Sequence, residues 1–306
     1  MYIKIIYIFL CNILVLYAQT FTETGRFGGS GGENGKLNAP LAIEISADNI
    51  VYVVDTGNNR LQLFNLRGEF IRSAGGFGFN REQFDAPRDI WVNSLINIYI
   101  SDYNNQRLQR YDRQLNFISS LINNEGQDVA FQFAEVASCA VNSQNDLFLV
   151  DHGDYKVIKF KRDGSAERVF GRFDSGDGEL ELPEQIVMWG ADKVVVSDTG
   201  QSALIVYDLF GNFLMRLLND DFKAPRGLDV SPDKNIFVAD PVARKIFVVK
   251  NDLSAISEIK SLNVFHQPQD VAFVNFNGKD MLYVIDGDEV IIGKFENTIP
   301  DGKKDN

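Results

Sequence analysis

Six aspartates recur along the chain, and a ring of carboxylates could supply the oxygen ligands that Ca²⁺ prefers. Each one ends a short apolar run such as IVYVV or NIFVA: Asp55, Asp102, Asp151, Asp198, Asp240 and Asp286. A specific metal site needs a few unequal groups, whereas sixfold repetition indicates a structural role. We therefore assign no metal site and expect each Asp to accept backbone N–H groups from the turn that follows it.

Catalytic chemistry has few candidate residues. The chain has only two histidines, His152 and His266, which fall in different repeats. A three-His zinc site is therefore excluded, and a His-based triad would have to use one of these two. No catalytic residue is assigned, no cofactor is expected, and enzyme activity stays open. The alternative is a Ca²⁺-dependent hydrolase or lyase with Asp89, Glu184 or Asp270 in a channel site.

The elements that position these residues are short strands in a unit of 42–49 residues. In the first copy we predict four strands, at 41–45, 50–54, 61–64 and 70–73. A proline suits the start of a strand, and five of the eight prolines stand there: Pro40, Pro87, Pro183, Pro225 and Pro268. This period with four strands is typical of a propeller blade. Six copies predict an all-β, six-bladed propeller of four-stranded antiparallel blades over residues 19–296.

Closure of the ring has its own signal. The sixth copy ends without a fourth strand, while an extra segment, FTETGRF at 21–27, precedes the first copy. That segment resembles RVFGRF at 168–173, the fourth strand of copy four. We expect 21–27 to supply the outer strand of the last blade, which would leave no open edge in the ring. A solenoid, the alternative, needs polar caps that this sequence lacks.

One face of the predicted ring is suited to binding. With strands named A to D from the axis outward, the long D–A loops and the B–C turns share a face, and long loops on a rigid scaffold often carry binding sites. Residues just after each repeat proline open strand A nearest the central channel, and they differ between copies. Leu41 stands at this position in copy one, and the candidate ligand-binding residues are Arg88, Asp89, Glu184, Gln185, Arg226, Gln269 and Asp270.

Arg88 and Arg226 are the two arginines of this set. Charge at a channel mouth is hard to explain by packing, and a guanidinium pairs well with a carboxylate. We predict that they hold an anionic group of a ligand. The alternative is that they pair with Asp89 and Asp270 or with acidic loop residues.

Composition and charge narrow the partner class. The 306-residue chain is 45% hydrophobic and 24% charged, as in globular proteins, and its net charge is −12. Nucleic-acid binding needs a basic footprint and is not expected.

The amino-terminal segment has the pattern of an export signal. Lys4 is followed by a thirteen-residue apolar run at 5–17 and by Ala18-Gln19, which together are typical of a secretory signal peptide over residues 1–18. The run is shorter than the roughly 20 residues of a transmembrane helix. We therefore predict cleavage, a secreted or periplasmic location and no membrane span; an uncleaved N-terminal anchor is the alternative. Residues 297–306 form a polar tail.

The repeated phrases resemble the NHL repeat. The pattern is Pro-x-x-Ile/Leu, then Asn-Ile-Phe/Tyr-Val-x-Asp, then Thr-Gly-Asn-Asn-Arg-Leu-Gln-Leu-Phe. It is strong in copies one, two and five, where Arg60, Arg107 and Arg244 approximately match the basic position. It is weaker in copies three and four, which have Lys156 and Ala203 there, and weakest in copy six.

The resemblance implies a six-bladed propeller but no single activity, because the family includes interaction scaffolds, sensors, RNA binders and an amidating lyase. That lyase relies on several metal-binding histidines, so the two histidines of this chain do not support that activity. We therefore expect a monomeric binding module with a protein, peptide or glycan ligand on the D–A/B–C face.

Overall fold

The computed structural model describes residues 18–92 and 97–298, which form a ring of β-sheets. In chain order the strands are β1 (Ala18–Gly28), β2 (Ala42–Ile45), β3 (Ile50–Asp55), β4 (Arg60–Asn65), β5 (Phe70–Gly75), β6 (Pro87–Val92), β7 (Ile98–Asp102), β8 (Arg107–Tyr111), β9 (Phe117–Leu121), β10 (Val136–Val141), β11 (Leu147–Asp151), β12 (Lys156–Phe160), β13 (Ala166–Phe170), β14 (Pro183–Trp189), β15 (Lys193–Asp198), β16 (Ala203–Asp208), β17 (Phe213–Leu218), β18 (Gly227–Val230), β19 (Ile236–Asp240), β20 (Lys245–Val249), β21 (Ile256–Glu258), β22 (Lys260–Ser261), β23 (Pro268–Phe276), β24 (Lys279–Asp286) and β25 (Glu289–Thr298). Three single-turn 3₁₀ helices lie at Thr56–Asn58, Val129–Phe131 and Gly176–Gly178. No helix of the described ranges is long and apolar enough to cross a membrane.

Six antiparallel sheets make the blades, as the repeat predicted. Blades 1 to 5 are β2–β5, β6–β9, β10–β13, β14–β17 and β18–β21, each in sequence order from the axis outward. Blade 6 has the order β23, β24, β25, β1, so the amino-terminal strand is its outer strand. The pairs run from Ala18 with Thr298 to Gly28 with Glu289. The predicted six-bladed fold and its closure by residues 21–27 are confirmed.

Blade 6 also carries a fifth strand that the repeat did not predict. β22 pairs in parallel with β1 through Thr20 with Lys260 and Phe21 with Ser261. The outer edge of β1 is thereby covered at its beginning. The predicted signal peptide falls outside the described residues except for Ala18, which opens β1. β25 ends at Thr298, inside the predicted tail, and residues 299–306 also lie outside the described part.

The core is divided among the six interfaces between blades. Each interface holds one cluster of buried apolar side chains, including the one between blades 6 and 1, where Ile43 and Val53 pack with Tyr283 and Ile285. Strand B is apolar on both faces because both faces are covered. Blade stacking is therefore continuous around the ring.

A bulge at the start of strand A positions the residues of the channel. In blades 2, 4 and 6 the repeat proline pairs with the repeat Asp, for example Pro87 with Asp102, and the register then shifts. A bulge places two residues of one strand opposite a single residue of the partner strand and changes the direction of their side chains. The two residues after the proline consequently lie at two successive depths of the channel.

Candidate binding face of the propeller

The mouth of the channel is closed by an ion triad from three blades. The Arg88 Nη2 of blade 2 donates to the Glu184 Oε2 of blade 4 over 2.6 Å, and the Arg226 Nε of blade 5 lies 3.4 Å from the same oxygen. Arg226 Nη1 also donates to the carbonyl oxygens of Leu41 at 2.9 Å and Gln269 at 3.1 Å. Two guanidinium groups thus share one carboxylate, and the triad has a net positive charge.

The partner of the arginines differs from the acids that the sequence suggested. Asp89 and Asp270 lie one residue further along strand A than Arg88 and Gln269, so the bulge places them at the deeper level. Glu184 is at the same position after its proline as Arg88 and Arg226, and it meets them at the mouth.

The deeper residues connect neighbouring blades. Asp89 accepts from Ser138 Oγ at 2.5 Å and from Gln185 Nε2 at 3.0 Å, and Asp270 Oδ2 accepts from the Ile43 backbone N–H at 2.9 Å. Gln185 Oε1 accepts from the Leu228 N–H of the next blade. These side chains satisfy backbone and side-chain donors along the inner strands. Of the predicted set, Arg88, Glu184 and Arg226 therefore face the mouth, whereas Asp89, Gln185 and Asp270 serve the walls below it.

A second polar cluster adjoins the triad. Tyr103 Oη donates to Glu135 Oε2 at 2.6 Å and lies 2.8 Å from His152 Nδ1. The Arg88 guanidinium lies 4.7 Å from the centre of the Tyr103 ring, and His152 Nε2 lies 3.9 Å from Glu184 Oε1. The cluster and the triad together form one continuous polar site over blades 2 to 5.

Burial and hydrogen bonding set the protonation of Tyr103 and Glu135 in this cluster. Burial and the hydrogen bond to Glu135 raise the pKa of Tyr103 to about 12. The same hydrogen bond lowers the pKa of Glu135 below its usual 4.5. At neutral pH the phenol is therefore protonated and the carboxylate is ionised. The pair therefore carries one negative charge beside the guanidinium groups.

The sequence interpretation missed the role of Tyr103 and Glu135, although a positional signal exists. Tyr103 and His152 are each the first residue after a repeat Asp. That position opens the B–C turn on the same face as the D–A loops. Comparing it across the copies would have brought Tyr103 and His152 together.

Four carboxyl groups line the channel below the mouth. Glu44 and Asp229 come from the same depth of strand A in blades 1 and 5, and both keep some accessible surface. Burial, with the charges of Asp229, Asp89 and Asp270, raises the pKa of Glu44 well above its usual value. Burial also raises the pKa of Asp229 to about 6, although its side chain accepts N–H bonds from Val230 and Phe273, both at 2.6 Å.

The raised pKa values of these carboxyl groups predict that the folded protein becomes more stable on mild acidification. Their pKa values are higher in the folded state than the roughly 4 of an unfolded chain, so protonation favours the fold. This contribution is complete below about pH 4 and is lost as the pH rises through about 6 for Asp229. We expect the melting temperature to rise by about 5 °C between pH 7.5 and pH 5.5, measured by circular dichroism.

A double substitution tests the source of this effect. Glu44→Gln with Asp229→Asn should raise the melting temperature at pH 7.5 and reduce its pH dependence. The control, Glu125→Gln with Asp174→Asn, removes two exposed carboxylates and should keep the wild-type profile. A wild-type melting temperature that falls between pH 7.5 and 5.5 would contradict the prediction.

The six repeat aspartates tie each D–A loop to its blade. Asp55 Oδ1 accepts the backbone N–H of Asn38 at 2.7 Å, and Asp240 Oδ2 accepts those of Lys223 and Ala224 at 2.7 and 3.0 Å. Asp102, Asp151, Asp198 and Asp286 accept equivalent loop N–H groups. The main donors thus precede strand A, about 17 residues before the Asp. The expected turn donors occur as additional bonds, as from Ala243 to Asp240 at 2.8 Å.

Blades 1 and 2 extend this pattern with side chains at fixed spacing. Asp102 Oδ2 accepts from Arg107 Nε at 2.6 Å and Gln109 Nε2 at 3.0 Å, and Asn105 Nδ2 lies 2.9 Å away. Asp55 has the same donors from Asn58, Arg60 and Gln62. In blade 5, Arg244 Nε instead donates to the Phe265 carbonyl oxygen. The NHL-like phrase is therefore a hydrogen-bonded unit only where all three donors are present.

Among the described residues, no three or more His, Cys, Asp and Glu side chains are grouped so that they could hold a metal ion. Lys156 accompanies Asp151 in blade 3, with Nζ 3.5 Å from Oδ2.

Exposed apolar side chains are concentrated on the same face as the polar site. Of sixteen large exposed hydrophobic side chains in the described ranges, nine lie in D–A loops or B–C turns: Phe77, Phe79, Ile122, Val129, Tyr155, Phe173, Val242, Leu262 and Val264. Only three, Phe210, Leu253 and Phe276, lie in turns of the opposite face. An apolar rim around a polar centre is typical of an interaction surface.

Sequence comparisons find short similarities to NHL-repeat proteins. No protein-family model matches the chain. It is 24% identical over 119 residues to the Drosophila melanogaster protein brain tumor, which is 38% of this chain and 12% of that protein. It is 25% identical over 106 residues to the E3 ubiquitin-protein ligase NHLRC1 of Rattus norvegicus, which is 35% of this chain and 26% of the ligase. The matches thus span about a quarter or less of these relatives.

Solved structures match over most of the described ring. A streptogramin B lyase superposes with a TM-score of 0.63 and 12% identity, over 92% of this chain and 98% of the lyase. A protein of unknown function from Bacteroides thetaiotaomicron gives a TM-score of 0.66 and 13% identity, over 92% and 77% of the two chains. At such identities the likeness concerns the fold alone. The six blades, the repeated phrases and the similarity to NHL-repeat proteins together support a six-bladed β-propeller that resembles those of NHL-repeat proteins.

Proposed function

We propose that this protein is an exported binding module that holds a protein partner on the D–A/B–C face. The concentration of exposed apolar side chains on that face carries the proposal. An apolar rim supplies the area that is removed from water on association. NHL-repeat relatives are consistent with a role in protein interaction. A secreted or periplasmic location, which rests on the pattern of residues 1–18, is part of the proposal.

The polar site would supply specificity. The Arg88–Glu184–Arg226 triad has more cation than anion, and the protonated Tyr103 lies beside it. A carboxylate of the partner, such as an Asp or Glu side chain, fits this chemistry because guanidinium groups pair with carboxylates. The surrounding rim excludes water and strengthens such a contact.

Substitutions on the two faces separate this proposal from non-specific adhesion. We expect a protein captured by the immobilised wild type from an extracellular or periplasmic extract to be lost with Phe77→Ser, Phe79→Ser and Phe173→Ser combined. Capture should weaken about tenfold or more with Arg88→Gln, since a charge-assisted hydrogen bond contributes about 1.5–3 kcal/mol. Quantitative mass spectrometry of the captured proteins measures both effects.

The matched control places polar residues on the opposite face. Phe210→Ser with Leu253→Ser removes two exposed apolar side chains from that face and should leave capture intact. Equal capture by all variants, with unchanged melting temperatures, would contradict the proposal. Tightly bound Ca²⁺ or Zn²⁺ in the purified protein would instead support the alternative of a metal-dependent hydrolase or lyase.

A further inference from the structure

A groove of about 430 Å³ lies between blades 6 and 1, at the end of the ring away from the binding face. Its floor is apolar and includes Leu66, Met281 and Ile292, and the exposed Phe276 stands at its edge. Tyr283 closes one side, because its Oη donates to the Leu66 carbonyl oxygen at 2.7 Å. The volume lies within the range of about 300–1,000 Å³ that is usual for small-molecule sites.

The charged side chains that line this groove in the described part of the chain are all positive. Among residues 18–92 and 97–298, the charged residues that line it are Arg67, Lys279 and Lys294, although the whole chain has a net charge of −12. Lys294 is paired with Glu296. Arg67 and Lys279 form no ion pair with any residue of 18–92 or 97–298. Two exposed cations therefore flank an apolar floor on an otherwise acidic protein.

Gly25 leaves room in the wall of the groove. It lies at the bulge of β1, where the pairing with β25 shifts between Glu23 and Gly25. A Cβ at this position would meet only Ile292 Cδ1, at 4.0 Å, and the backbone is not in the left-handed region. Neither packing nor backbone geometry requires a glycine here. A glycine inside a strand often marks a bulge, as here, or a place where a ligand or another backbone approaches closely.

We propose that this groove binds a single-chain anionic amphiphile, with its carboxylate between Arg67 and Lys279 and its alkyl chain along the apolar floor. Charge complementarity favours an anionic head, because Arg67 and Lys279 have no acidic partner among the described residues and can pair with it. The floor favours a hydrocarbon body, because burying apolar surface is favourable in proportion to its area. Gly25 leaves the wall open for the chain. This site is independent of the proposed binding face.

Dodecanoate is the probe for the test, titrated below its micellar concentration into the full chain in a calorimeter. We expect saturable 1:1 binding, and at least about tenfold weaker binding by Arg67→Gln with Lys279→Gln, because two charge-assisted hydrogen bonds are lost. Gly25→Leu should fill the groove and abolish binding while the melting temperature stays the same or rises. Dodecanol, which lacks the charge, should bind at least about tenfold more weakly than dodecanoate.

The control removes the same charge elsewhere. Lys161→Gln with Arg162→Gln, on blade 3, should bind dodecanoate as the wild type does. The proposal is overturned if the wild type does not bind dodecanoate, or if Gly25→Leu or the Arg67/Lys279 variant binds with wild-type affinity. Binding that appears only after removal of residues 299–306 would assign the groove to the chain's own tail and would also overturn it.

Discussion

Deletion of residues 19–28 is expected to lower the melting temperature by more than about 10 °C or to prevent folding. The deletion removes nearly all of β1, which pairs with β25 from Ala18 to Gly28 and is the outer strand of blade 6. It also exposes the apolar cluster between blades 5 and 6, to which Phe21 belongs. The ring would lose the only strand that joins the two ends of the described chain.

A single substitution gives the scale of this effect. Phe21 is 3% exposed, its ring lies 5.5 Å from that of Phe265, and it packs closely over Gly293. Truncation of such a buried Phe costs about 3–5 kcal/mol. At about 2 °C per kcal/mol for a chain of this size, Phe21→Ala should lower the melting temperature by about 6–10 °C.

An outer-strand residue that is exposed serves as the control. Ile71 lies on β5 and is 46% exposed, so Ile71→Ala should change the melting temperature by less than about 2 °C. Differential scanning calorimetry measures all three proteins. A deletion variant that melts with the wild type would show that β1 does not hold the ring closed.

The second large effect is expected for Asp102→Ala, which should lower the free energy of unfolding by about 3–5 kcal/mol. The Asp102 carboxylate is fully buried and accepts from the Asp85 N–H, Arg107 Nε and Gln109 Nε2. Removing one partner of a buried ion pair leaves the other charge without compensation. Arg107 also holds the carbonyl oxygens of Phe79, Asn80 and Gln83, so its displacement would loosen the loop that carries Phe77 and Phe79.

A solvent-exposed Asp–Arg pair provides the comparison. Asp48 and Arg113 form an ion pair with 46% and 43% of their side chains exposed. Exposed pairs contribute about 0–1 kcal/mol, so Asp48→Ala should have a small effect. Urea denaturation of both variants measures the difference. Equal costs for Asp102→Ala and Asp48→Ala would exclude the buried network as a main source of stability.

The fold was predictable because its signals are local and repeated. Each blade repeats an apolar run ending in Asp, and proline marks the innermost strand, so the copy number and strand order follow from the sequence. Closure was predictable because the sixth copy lacks a strand that residues 21–27 could supply. The strand β22 was not predictable, because a two-residue strand such as Lys260–Ser261 has no sequence pattern of its own.

The sequence predicted which residues lie in the channel, but it did not predict the contacts that their side chains make. The residues after the repeat proline do lie in the channel, but the bulge that separates Arg88 from Asp89 by depth has no sequence signal that we could use. The carboxylate shared by Arg88 and Arg226 therefore could not be identified as Glu184. Glu44 and Asp229 were missed because they lie further along strand A, where side chains from opposite sides of the ring meet.

The pairing of β1 with β25 also determines when the propeller can close during synthesis of the chain. Thr24 and its partner Ile292 are 268 residues apart, so β1 must wait for its partner strand until about that many further residues have been made. At roughly 5–20 residues per second, that wait is on the order of ten to fifty seconds. Until blade 6 is complete, β1 exposes Phe21 and an unsatisfied strand edge, which are the features that make incomplete chains prone to aggregation.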